Sequence, residues 1–141
     1  MKIRVINGPN LNMLGLREPE IYGSQSYADL VAYIQESAAE LGVQAECMQS
    51  NHEGEIVTWI QQSLGMADAI VINPAAYTHT SVAILDALKA VGLPAVEVHL
   101  SDVSAREEFR QVSYCAPACV KTIKGQGFAG YRAAMQHLAQ K

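Results

Sequence analysis

The chain has little cysteine, no long apolar run and no excess of positive charge. Its three cysteines, Cys47, Cys115 and Cys119, leave one thiol over in any disulfide scheme. The gap in Cys115-Ala116-Pro117-Ala118-Cys119 is also not the two-residue gap of common zinc or redox pairs. They read as ordinary core or loop thiols, and no metal is expected, because a third and fourth ligand are wanting. No apolar stretch approaches the roughly 18 to 20 residues that cross a bilayer. The start Met1-Lys2-Ile3-Arg4-Val5 enters a strand pattern and not a signal peptide, so the expected place is the cytoplasm, away from any membrane. Ten basic against fourteen acidic residues give a formal charge of −4. That leaves no broad basic surface, and nucleic acid is not an expected partner.

Half of the 141 residues are apolar, enough for one substantial core but too few for two domains, so residues 1–141 read as a single domain. Short strand-like runs alternate with longer helical ones. The strands fall at residues 3–6, 43–48, 69–72, 95–98 and 120–123, and the helices at 27–41, 56–64, 82–91 and 130–138. Ser26 with Asp29 reads as a capping-box start, and Gly42 and Gly92 stand where helices end. Ile3-Arg4-Val5-Ile6 and Ala69-Ile70-Val71-Ile72 have the continuous apolar look of buried parallel strands. The expectation is an α/β domain with a doubly wound parallel sheet of about five strands in flavodoxin-like order. No repeat, linker or low-complexity stretch marks a second module.

Ligands of open parallel sheets bind beyond the carboxyl ends of the strands. Here those positions are polar: Asn7-Gly8-Pro9-Asn10-Leu11-Asn12, Ser50-Asn51-His52-Glu53, Asn73-Pro74 and Glu97-Val98-His99-Leu100-Ser101. All four ends are expected to converge on one pocket, although Asn7, Asn10 and Ser50 taken singly are equally at home as turn formers. Glu97 and His99 are two apart on a strand and so share a face, where the carboxylate fixes the imidazole tautomer and supports its protonated form. Residues 14–25 carry glycines and a proline without helical periodicity, and read as a long, mobile active-site loop. That loop contains Tyr22 and Arg17. A tyrosine titrates near 10, so one acting as a base needs positive charge beside it.

Asn73-Pro74-Ala75-Ala76-Tyr77-Thr78-His79-Thr80-Ser81 leads into a helix that Thr80 or Ser81 caps, with amides turned toward an anion and His79 at the entrance. His79 alone is balanced between loop hydrogen bonding and ligand contact. The charged segment 105–110 reads as helical, placing Arg106 and Arg110 on one face, with Arg106, Glu107 and Glu108 solvated. His52 and His137 read as structural or surface residues. Lys124, just past the fifth strand, is the lysine nearest the expected pocket.

The segments Gly8-Pro9-Asn10-Leu11-Asn12, Leu16-Arg17-Glu18-Pro19 with Tyr22-Gly23, Gln49-Ser50-Asn51, Asn73-Pro74-Ala75-Ala76 with Thr78-His79-Thr80-Ser81, Glu97-Val98-His99-Leu100-Ser101, Arg106-Glu107-Glu108-Phe109-Arg110 and Gly125 through Gly130-Tyr131 run in this order through nearly the whole chain. Together they resemble the type II 3-dehydroquinate dehydratases. That resemblance implies anti elimination of water from 3-dehydroquinate to give 3-dehydroshikimate, without metal, Schiff base or nucleotide. It makes Tyr22 the base that removes the C2 proton and Arg17 the group that keeps it ionised. His99, oriented by Glu97, protonates the departing C1 hydroxyl, and Asn12 holds a water against the developing enolate. Asn73, His79 and Arg110 are implied to bind ring hydroxyls, and Leu100-Ser101 the carboxylate. The resemblance further implies trimers assembled into a dodecamer, with Asp86 reaching a neighbouring subunit's site. Read by itself, Asp86 is half of a solvated pair with Lys89. One departure stands out: after Leu100-Ser101 the family usually has asparagine where this chain has Asp102. An extra anion beside amides meant for a carboxylate weakens binding unless its side chain turns away.

The inferred fold alone also admits a flavodoxin-like binding module for FMN or another phosphate ligand. The Gly-rich phosphate loop of such a module is missing, since Gly8-Pro9-Asn10-Leu11-Asn12 has neither the dinucleotide glycine triplet nor a P-loop lysine. A response-regulator-like domain would want acidic residues near strand one, where this chain has Asn7 and Asn10.

Overall fold

A computed structural model describes residues 1–16, 20, 24–102 and 106–140. Five strands, β1 (Lys2–Asn7), β2 (Gln44–Gln49), β3 (Ala69–Asn73), β4 (Ala95–His99) and β5 (Lys121–Lys124), form one sheet in the order β2-β1-β3-β4-β5. Every pairing is parallel. This is the flavodoxin-like order expected from the alternation of elements. Three crossovers run through helices, α1 (Tyr27–Leu41), α2 (Glu53–Gln62) and α3 (Val82–Val91), and a fourth helix, α4 (Ala129–Ala139), follows β5.

Strand alternation divides the core into two layers. Ile3, Val5, Val71, Val96 and Val98 face α1 and α4, where they meet Leu30, Ile34, Tyr131 and Met135. Ile6, Ile70 and Ile72 face α2 and α3, against Ile56, Ile60, Ile84 and Leu88. Covered on both faces, β3 is buried throughout, which is why its sequence shows no polar alternation. Arg4, the charged residue inside β1, is buried on the α2 side and donates to Glu46 and to the Trp59 carbonyl.

Local capping chemistry sets the helix ends. Ser26 and Asp29 form both halves of a capping box on α1, and left-handed Gly42 closes it. At α3, Ser81 and not Thr80 accepts from an amide of the first turn, that of Ile84. The segment expected to be a helix over 105–110 is instead a short 3-10 turn, Glu108–Gln111. Glu107 is extended (φ −56°, ψ 150°), so a helix cannot run through it; an Arg110–Glu107 pair at 3.0 Å closes the turn locally.

Candidate active site

In this strand order the chain leaves β1 toward β2 on one side and returns past it to β3 on the other, so the connections that follow β1 and β3 diverge beyond the sheet and open a crevice. Gly8 makes the crevice possible. Its amide donates to the Asn73 carbonyl at 2.8 Å, and a Cβ there would stand 2.5 Å from the Pro74 oxygen. Two other residues in the crevice wall are held at positive φ although neither is glycine: Asn10 at 70° and Ala75 at 54°. The Asn73 side-chain oxygen accepts from the Ala75 amide at 3.1 Å, and Asn51 does the same for the Asn10 amide at 3.0 Å.

The resulting cavity, about 140 Å³, has three walls. After β1 come Pro9, Asn10, Leu11 and Leu14; after β3, Asn73, Ala75, Ala76 and His79; after β4, His99, Leu100 and Ser101, with Arg106 and Arg110 beyond. Six of the candidate residues, Asn73, His79, His99, Leu100, Ser101 and Arg110, therefore face one space. The fourth strand end expected there does not. β2 is the sheet edge, one strand removed from the crevice; Asn51 supports the wall from behind through the Asn10 amide, and Ser50 turns to Glu55. Arg106, expected on a solvated face, instead lines the cavity with its side chain 14% exposed.

Other expected residues lie elsewhere. Asn12 is exposed beside the crevice, where its oxygen accepts from Gln49 at 3.4 Å. Asp86 is exposed on α3, outside the cavity lining, and Lys124 is exposed at the end of β5. The Cβ of Asp102 lies 3.1 Å from where a Cβ on Gly125 would stand, and the residue is not part of the lining. Arg17 and Tyr22, and with them half of the loop 14–25, are outside the described residues.

At the bottom of the β4 wall, Glu97 is fully buried and His99 is 8% exposed. The imidazole Nε2 lies 2.5 Å from Glu97 Oε2. A carboxylate can only accept, so the Nε2 proton points to Glu97 and Nδ1 is the remaining nitrogen. Burial pushes the Glu97 carboxyl up, but hydrogen bonds from His99, Thr78 and Ser113, together with the imidazolium charge, outweigh it and hold the group below its ordinary value. His79 is fixed in the complementary way: its Nδ1 donates to the Val112 carbonyl at 2.7 Å, which leaves Nε2 unprotonated in the neutral ring.

A second polar assembly lies beneath the crevice. The Tyr131 hydroxyl donates to Asn7 Oδ1 at 2.7 Å and accepts from Asn73 Nδ2 at 2.9 Å. Tyr131, Thr78 and Ser113 were not among the expected site residues. Each is an ordinary residue in its own stretch of sequence and acquires a site role only through a distant partner.

Among the described residues no group of three histidine, cysteine or acidic side chains could hold a metal ion. The thiols are poor nucleophiles: burial pushes Cys47 up to about 11, and Cys115 and Cys119 up to about 12.

The model of the family described as dehydroquinase class II matches residues 1–139. The chain belongs to the class II dehydroquinase family. A 3-dehydroquinate dehydratase of Clostridium perfringens (strain ATCC 13124) is 54% identical to this member over 142 residues, covering 100% of this chain and 99% of that protein. A catabolic 3-dehydroquinase of Verticillium alfalfae is 55% identical over 139 residues, covering 99% and 93%. The crystal structure of type II dehydroquinase from Butyrivibrio crossotus superposes with a TM-score of 0.96 at 51% identity, over 98% of this chain and 97% of that one. A family-wide match of this extent leaves the flavin-binding alternative without support.

Proposed function

We propose that this dehydroquinase is a hydro-lyase that removes water from 3-dehydroquinate to give 3-dehydroshikimate, by anti elimination through an enolate. The observation that carries the reading is the Glu97–His99 pair opening into a crevice lined by Arg106, Arg110, His79 and Asn73. A buried carboxylate that accepts the Nε2 proton supports an imidazolium, and an imidazolium delivers a proton to a leaving hydroxyl. His99 is the acid in this reading and Glu97 its orienter.

The base is Tyr22, with Arg17 lowering its proton affinity, and Asn12 steadies a water against the enolate oxygen. Asn73, His79 and Arg110 take the ring hydroxyls, and the Leu100-Ser101 backbone takes the carboxylate. His79 supports its part with a free Nε2 acceptor. No metal, nucleotide or Schiff base takes part.

The enzyme works in the cytoplasm as a homo-oligomer, trimers assembling into a dodecamer, with Asp86 completing a neighbour's site. Exposure of Asp86 on α3, away from its own crevice, supports a role in trans. The same reaction serves the shikimate pathway to aromatic amino acids or the breakdown of quinate.

The direct test is to add 3-dehydroquinate and follow the conjugated enone of the product by ultraviolet absorbance. Substitution of His99 by alanine or Tyr22 by phenylalanine is expected to lower kcat about a hundred- to ten-thousandfold with the fold intact. A wild-type chain that leaves the substrate unchanged sinks the assignment.

A further inference from the structure

Glu97 is held by more than its histidine. With no exposure to solvent, a carboxylate lacking donors takes up a proton. Here Thr78 Oγ1 donates to Oε2 at 2.6 Å, and Ser113 Oγ lies 2.9 Å from Oε1 and 3.0 Å from Oε2. The Ala116 amide donates to Ser113 Oγ at 3.1 Å, occupying its acceptor side and leaving its one proton for Glu97. Both hydroxyl protons are then committed to the carboxylate, and the 3.0 Å approach of Thr78 and Ser113 to each other is contact enforced by the shared partner.

These hydroxyls belong to two different substrate-facing segments. Thr78 immediately precedes His79 in the 3-10 turn Ala75–His79, and Ser113 follows Arg110 by three residues. Two further bonds tie the segments together: the Tyr114 amide to the Thr78 carbonyl at 2.7 Å and His79 Nδ1 to the Val112 carbonyl at 2.7 Å. The buried carboxylate is thus the point at which the His99 strand, the His79 turn and the Arg110 segment meet.

We infer that Thr78 and Ser113 are positioning residues of the elimination: their hydroxyls keep Glu97 in one orientation as a pure acceptor for His99, and through the same contacts register His79 and Arg110 against β4. This rests on the reading of His99 as the acid. Among the described residues, the titratable groups facing Glu97 are His99 on its own strand and the Cys115 and Cys119 thiols, which stay neutral through the working range. Against the burial that pushes its carboxyl up, the histidine and the two hydroxyls are therefore what hold Glu97 ionised.

The test uses Thr78→Val, which keeps the shape and removes the donor, Thr78→Ser, which keeps the donor, and Ser113→Ala, each alone and with Glu97→Gln. Infrared titration of the assembled enzyme, with the Glu97→Gln spectrum subtracted, follows the Glu97 carboxylic-acid C=O stretch without any turnover. Loss of one donor is expected to bring that band in about one pH unit higher, the scale of a hydrogen bond to a charged group. The acid limb of kcat moves in the same direction, because the acceptor form is lost sooner as pH falls. At neutral pH kcat drops roughly tenfold, a fraction of what a positioned acid supplies. Thr78→Ser recovers most of that loss, and in the Glu97→Gln background Thr78→Val and Ser113→Ala add little. An unmoved infrared band, additive losses, or equal damage from Thr78→Ser and Thr78→Val overturns the inference. A wild-type enzyme inactive on 3-dehydroquinate removes the dehydratase reading alone, since the infrared arm still reads the contact.

Discussion

Tyr131→Phe isolates the contribution of one hydroxyl beneath the crevice. Tyr131 heads the large side chains that are fully buried, and phenylalanine fills nearly the same volume, so no cavity opens and the effect is polar. Its removal strands two groups: Asn7 Oδ1 loses a donor at 2.7 Å and Asn73 Nδ2 loses an acceptor at 2.9 Å. Each buried orphan is worth about 1–3 kcal/mol. Asn7 and Asn73 stand opposite each other in the β1–β3 register, so a direct amide–amide bond recovers part of this, and the expected net loss is about 2–3 kcal/mol. With an unfolding entropy near 2.1 cal/mol/K per residue, a chain of 141 residues then melts about 7–10 °C lower. Scanning calorimetry reads the shift, and urea unfolding should show a lower midpoint at unchanged slope. Because Asn73 also lines the crevice, KM should rise more than kcat falls. A melting temperature within a degree or two of wild type would refute the claim that this hydroxyl satisfies both amides.

Gly8→Ala forces a Cβ to within 2.5 Å of the Pro74 oxygen and 2.7 Å of its carbon. Backbone must move, so a loss of about 1–3 kcal/mol and a lower kcat/KM are expected, and unaltered urea unfolding would contradict the close approach. Alkaline pH should destabilise the fold through the thiols. Cys47, Cys115 and Cys119 have folded values of about 11 to 12 against an ordinary 9.0, so the stability they contribute is whole below about pH 9 and is lost as pH rises through their folded values. Replacing all three by alanine should flatten stability against pH between 9 and 11, as measured by urea unfolding; an equally steep decline in that variant counts against the thiols. Subunits carrying Asp86→Ala and Tyr22→Phe, both inactive alone, should regain partial activity when co-assembled. Full turnover by Asp86→Ala alone would make that side chain a solvated surface group.

What was legible in the sequence was what short-range physics writes there. The limits of α1 could be read because Ser26, Asp29 and Gly42 act within a few residues of the helix. The Glu97–His99 pair could be read because a strand repeats every second residue. The remainder depends on partners far along the chain. Tyr131 meets Asn7 across 124 positions, and Ser113 meets Glu97 across 16. Arg106 looked solvated because a charge run usually is, and nothing local states that an extended Glu107 turns it inward. The end of β2 was assigned to the pocket by its polar residues, but strand order, which puts β2 at the edge, is a global property.

The left-handed backbone of Ala75 has a mechanical consequence. An alanine at φ 54° sits about 1–2 kcal/mol above its right-handed alternative, and the Asn73 side chain restrains it by accepting from its amide. The turn behaves as a loaded spring with Asn73 as its catch. Removing that side chain deletes part of a wall of the crevice and also releases the Pro74–Ala75 peptide, whose amide it held, so that Ala76 and His79 shift in register. Glycine at position 75 unloads the spring, so a crevice that collapses in Asn73→Ala would hold its shape better in the double variant Ala75→Gly, Asn73→Ala.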